Sequence, residues 1–76
     1  MSLKNVLYAA VLSEPKESPD GEFVETLELT EETNGFFCWT TTYEDGLKLL
    51  WWQQFGRFTA IERAVAEAHQ LRQRGA

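Results

Sequence analysis

Two turn-forming dipeptides, Asn34-Gly35 and Asp45-Gly46, divide the middle of this chain into runs of strand length. Both central positions of a two-residue type I′ turn need positive φ, which these pairs tolerate. Four runs rich in β-branched and aromatic residues lie around these signals: Lys4 to Leu12, Glu22 to Thr30, Phe36 to Tyr43 and Leu47 to Phe55. Pro15 to Glu22 is polar, holds two prolines and Asp20-Gly21, and reads as a loop or an open hairpin connection. Short connections make neighbouring strands antiparallel, so the expected sheet is a four-stranded meander.

The apolar period changes at Thr59. Thr59-Ala60-Ile61-Glu62 has the form of a capping box, which predicts a helix start. Ile61, Ala64, Val65, Ala68 and Leu71 form one apolar stripe beyond it, Arg72 and Arg74 suit the negative end of the helix dipole, and Gly75 is a stop. The expected architecture is β-β-β-β-α, a two-layer α+β domain spanning residues 1–76, with the helix packed on one face of the sheet.

Turn geometry also assigns each side chain to a face. A type I′ turn at Asp45-Gly46 places Trp39 opposite Trp52, Thr41 opposite Leu50, Phe37 opposite Gln54 and Tyr43 opposite Lys48 on one face. The other face then pairs Trp51 with Thr40, Cys38 with Gln53, Leu49 with Thr42 and Phe36 with Phe55. The same construction at Asn34-Gly35 sets Leu27 and Leu29 opposite Thr42 and Thr40, so the face of Trp51, Leu49, Cys38, Phe36 and Phe55 is the expected core. A bulge or one-residue slip would exchange the faces, and Gly56 marks either such an irregularity or the exit into the helix.

One helix covers one face of such a sheet, which leaves Phe37, Trp39, Tyr43, Leu50 and Trp52 without intrachain cover. Burying a large apolar side chain is worth about 1.5–3 kcal/mol, a large fraction of the stability of a chain of 76 residues. A contiguous exposed apolar patch marks an interaction site. The plainer alternative is a solvated cross-strand Trp pair, worth about 0.2–1 kcal/mol. The expected function is therefore a noncatalytic protein-interaction or homodimerisation module, with a second copy or another protein as partner. The alternative on the same face is a ligand or single-stranded nucleic-acid platform, in which bases stack on exposed rings. A small enzyme comes third.

Charge and composition narrow these options. Residues 1–45 hold ten acids and two lysines, a net −8, whereas 46–76 hold two acids and five bases, a net +3. The overall −5 disfavours nonspecific contact with nucleic acid or anionic lipid. Val6 to Leu12 is too short to span a bilayer. The single cysteine, Cys38, forms no internal disulfide and fits a reducing cytosol.

Constellations for chemistry are sparse. His69 stands on the helix with no paired ligand at metal-binding spacing and reads as a surface or boundary side chain. Cys38 reads as a small inward hydrophobe. The acids near turns follow neither a calcium-loop nor a two-metal pattern, and no glycine-rich phosphate loop is present, so neither metal nor cofactor is expected. Phe55-Gly56-Arg57-Phe58 resembles the Trp-Gly-Arg core of the WGR domain at Gly56 and Arg57 alone, an overlap that carries no family assignment.

Overall fold

The structure is a computed structural model that describes residues 4–74. Its main sheet is antiparallel, with β1 (Asn5–Val11), β4 (Thr26–Glu32), β5 (Gly35–Thr42) and β6 (Gly46–Gln53) in that spatial order. The polar Pro15–Glu22 connection folds into a small hairpin of its own, β2 (Lys16–Ser18) with β3 (Gly21–Phe23). One helix, α1 (Arg57–Arg74), lies across β1, β4 and β5. The expected four-stranded meander with a C-terminal helix on one face is thus the observed α+β architecture; Gly75 lies outside the described residues.

The core lies between helix and sheet. Leu27, Leu29, Phe36, Cys38 and Trp51 point from the sheet toward Ala60, Ala64 and Ala68, with Tyr8, Leu12, Ile61 and Leu71 packed around them. The alanines recur every four residues, so the helix turns its smallest side chains inward and approaches the strands closely. Val65, expected in the stripe, is instead 43 % exposed. Arg63 lies over the Trp51 ring, 4.2 Å from its centroid, and covers the part of the sheet that the alanines do not reach.

Turn chemistry differs from expectation at both hairpins. Glu32 pairs with Gly35, so Thr33 and Asn34 are the loop residues and Asn34 has negative φ. Gly35 takes φ +145° instead, and a Cβ there would stand 2.5 Å from the Gln53 carbonyl oxygen. This shift moves the β4–β5 register by two residues and leaves the faces unchanged. At the second hairpin Thr42 pairs with Gly46 around the three-residue loop Tyr43-Glu44-Asp45, where the Asp45 amide donates to Thr42 Oγ1 at 3.0 Å. Gly46, at φ +70°, supplies the left-handed residue that closes a three-residue loop.

An odd loop exchanges the faces, and a bulge at Leu50 exchanges them back. Below the bulge Trp39 pairs with Leu49 and Thr41 with Leu47; above it Cys38 pairs with Trp51 and Phe37 with Trp52. Trp51 and Trp52 therefore occupy the expected faces, while Leu49 and Leu50 are exchanged. Leu49 joins Trp39 on the open side, and Leu50 packs against the core cluster. Phe55, expected in the core, follows the end of β6 and is 78 % exposed.

The helix begins at Arg57, two residues before the expected cap. Gly56, at φ +90°, makes the corner, and its carbonyl accepts from the Ala60 amide and from Thr59 Oγ1, both at 2.9 Å. Thr59 is thus a donor to the turn rather than a cap acceptor. The Gln53 side-chain amide braces the corner, with the Phe55 carbonyl, Thr59 Oγ1 and the Gly56 carbonyl at 2.9, 3.0 and 3.1 Å.

Candidate functional site: the open face of the sheet

Strand register arranges the face away from the helix into three cross-strand rows. Val6, Thr30, Phe37 and Trp52 form the first; Ala9, Glu28, Trp39 and Leu49 the second; Val11, Thr26, Thr41 and Leu47 the third. Each row is apolar on β1, polar on β4, aromatic or Thr on β5 and large and apolar on β6. Val6, Val11, Leu47, Leu49 and Trp52 are all exposed.

Three of the sequence-predicted interface residues come together. Phe37 stacks on Trp52 with centroids 5.8 Å apart and planes at 14°, and on Trp39 at 6.2 Å and 24°. The Trp39 indole N–H donates to Thr30 Oγ1 at 3.0 Å, and the hydroxyl lies 3.0 Å from Glu32 Oε2 and 3.3 Å from the Phe37 carbonyl oxygen. The buried Thr30 satisfies the indole from beneath and holds the ring against the sheet.

The other two lie elsewhere. Leu50 is the bulge residue and packs toward the core. Tyr43 lies in the β5–β6 loop, edge-on to Phe23 at 5.7 Å and 77°, where it joins the small hairpin to the sheet. Its backbone amide donates to Glu25 Oε2 at 3.0 Å, while Lys16 Nζ stands 3.4 Å from the other carboxylate oxygen. The Tyr43 amide, helped by Lys16 and Ser13, holds the Glu25 carboxyl below the usual carboxylate range against a smaller opposing effect of burial.

Sequence reasoning missed Leu47, Leu49 and Phe55, because a three-residue loop, a bulge and an early strand end are not written in alternation. It also left β1 without a register, and so missed Val6, Ala9 and Val11. Phe55 joins Thr33, Asn34, Phe37, Trp52 and Gln54 around an open cleft at the β4–β5 turn end of the face. A second cleft, between Trp39 and Leu47 on one side and Glu28 and Glu32 on the other, is acidic. Lys4 Nζ pairs with Glu28 Oε1 across it at 3.2 Å.

Among the described residues no group of three or more His, Cys, Asp or Glu side chains is placed to hold a metal ion. Cys38 is buried on the helix side, where desolvation first and Glu67 second push its thiol up to about 11 against the opposing effect of Arg63. No helix among the described residues is long and apolar enough to cross a membrane. Comparison with protein-family models, with curated proteins and with solved structures returns no match.

Proposed function

We propose that this chain is a noncatalytic protein-interaction module that associates through the open face of its sheet, with a second copy of itself as the simplest partner. The observation that carries the reading is the continuity of the three rows, whose apolar members stand uncovered on both outer strands and around a stacked ring cluster. Contiguous surfaces of this kind mark association sites.

Shape supports the same reading. The molecule is a slab 16 Å thick along its shortest axis. A slab this thin presents a broad sheet face for its volume.

Both sheet edges favour a face over an edge as the contact. At the β1 edge, Arg72 Nε donates to the Val11 carbonyl at 2.9 Å, and the strand carries an irregularity between Val6 and Tyr8. The β6 edge carries the Leu50 bulge and Lys48. Bulges and charged side chains on outer strands discourage strand addition.

The platform reading for single-stranded nucleic acid is weaker, because Glu28 and Glu32 flank the rings and would repel phosphate, while Lys4 is engaged by Glu28. The buried lone thiol of Cys38 is compatible with work in a reducing cytosol.

Hydrogen exchange across a concentration series tests the reading. Association through this face slows exchange of the Trp39 and Trp52 indole protons as concentration rises. Association that leaves both unchanged, or no association with this or any protein partner, contradicts it.

A further inference from the structure

Resting on the reading of the open face as an association surface, we infer that its occupant is a second copy placed by a two-fold axis running parallel to the strands. Such an axis lays β6 of each protomer over β1 of its partner and β5 over the partner's β4. The three rows then meet in register, so that Trp52 covers Val6, Leu49 covers Ala9 and Leu47 covers Val11, once on each side of the axis. Large side chains on β6 meet small ones on β1, which is the complementarity that two sheets about 10 Å apart require. Both sets are apolar, and five of the six members are large hydrophobics that stand exposed, from Leu49 at 41 % to Leu47 at 68 %.

Charge selects this axis over the other two-fold arrangement of the same faces. An axis perpendicular to the strands lays each strand over its own copy and, centred on the middle row, sets Glu28 against Glu28, Trp39 against Trp39 and Leu49 against Leu49. Two carboxylates, each with its own Lys4 beside it, would then be desolvated face to face and repel each other across the axis. With the axis along the strands, Glu28 instead faces the partner's Trp39 and keeps its contact with Lys4, while Glu32 lies beyond the first row, at the rim. Acidic rows on the two protomers are displaced to opposite sides of the axis. The contact is isologous and closes at two copies, as a self-complementary patch on one face allows.

Intermolecular contacts in a mixed-label dimer decide the matter. Within one protomer Trp52 and Val6 stand at opposite ends of a row, three strand spacings or about 14 Å apart, too far for a nuclear Overhauser effect between their side chains. An isotope-filtered experiment on equal amounts of labelled and unlabelled protein is expected to connect the Trp52 indole with the Val6 methyls, and Leu47 with those of Val11. Contacts of Leu49 with Leu49 and Trp39 with Trp39, without any between Trp52 and Val6, overturn the arrangement and leave the open face as the association surface. A monomer at millimolar concentration overturns the second copy as occupant, and unchanged indole exchange in a dimer of another kind overturns the underlying reading as well.

Discussion

Trp51 and Trp52 are adjacent in the chain and stand on opposite faces of β6: Trp51 pairs with Cys38 beneath the helix and is 9 % exposed, whereas Trp52 pairs with Phe37 on the open face and is 52 % exposed. Two identical side chains one residue apart thus serve different ends. The first belongs to the core and the second to the open face proposed above as the surface of association.

Trp51→Ala should destabilise the monomer by about 3–5 kcal/mol, the usual cost of truncating a buried aromatic side chain. Trp51→Phe should cost less, because the buried indole N–H has no acceptor among the described residues and phenylalanine removes that donor. Trp52→Ala should leave the denaturation midpoint of the monomer little changed and weaken association. Urea titrations at low protein concentration, where only the monomer is present, separate the three variants.

Gly35→Ala should destabilise by about 1–3 kcal/mol, the range for a residue held in an unfavourable backbone region. The φ of +145° disfavours any L side chain, and the new Cβ would press on the Gln53 carbonyl. Gly56→Ala meets the same conformational penalty at φ +90° and collides with Thr59 Oγ1. Thermal denaturation of the two variants beside wild type measures both costs.

How far these features could be read in the sequence depends on what alternation records. Period-two alternation separates Trp51 from Trp52 whatever the turn, and the odd loop and the bulge cancel, so the assignment of both rings survived two errors in register. Between the two irregularities nothing compensates, and Leu49 and Leu50 were exchanged. The bulge has no local signature, since Leu49, Leu50 and Trp51 are consecutive apolar residues that fit either face. Val6, Ala9 and Val11 were invisible as site residues because β1 reaches β4 across a long connection that sets no register. The helix was legible from its period, but its start was not: Gln53, six residues before Thr59, supplies the bracing that a local capping box would have provided.

Acid should weaken the joint between the small hairpin and the β5–β6 loop. The Glu25 carboxyl has a folded-state pKa below its ordinary value of 4.5, so its contribution is present above 4.5 and is lost as pH falls through the lower, folded-state value. Glu25→Gln removes this component. Denaturation midpoints measured from neutral pH into acid should fall less steeply for the variant than for wild type.

Cys38 should be inert to thiol reagents at neutral pH while the protein is folded, because the thiolate is disfavoured and the side chain is buried. Its folded-state pKa of about 11 lies above the ordinary 9.0, so the stability linked to this group is present below 9.0 and declines as pH rises through about 11. Labelling with a chromogenic disulfide should follow the opening rate or the open population, and Trp51→Ala should accelerate it.

Solution mass is the most direct test of the open face as the surface of association. Light scattering on the eluting wild-type protein at high micromolar concentration should give twice the chain mass of 8.8 kDa, and the pair of substitutions Leu47→Ser and Trp52→Ser, both at exposed positions, should return it to the single-chain mass without loss of fold. A wild-type protein that elutes at 8.8 kDa throughout would contradict a second copy as the partner, and a double variant that remains a dimer would contradict the open face as the surface of association.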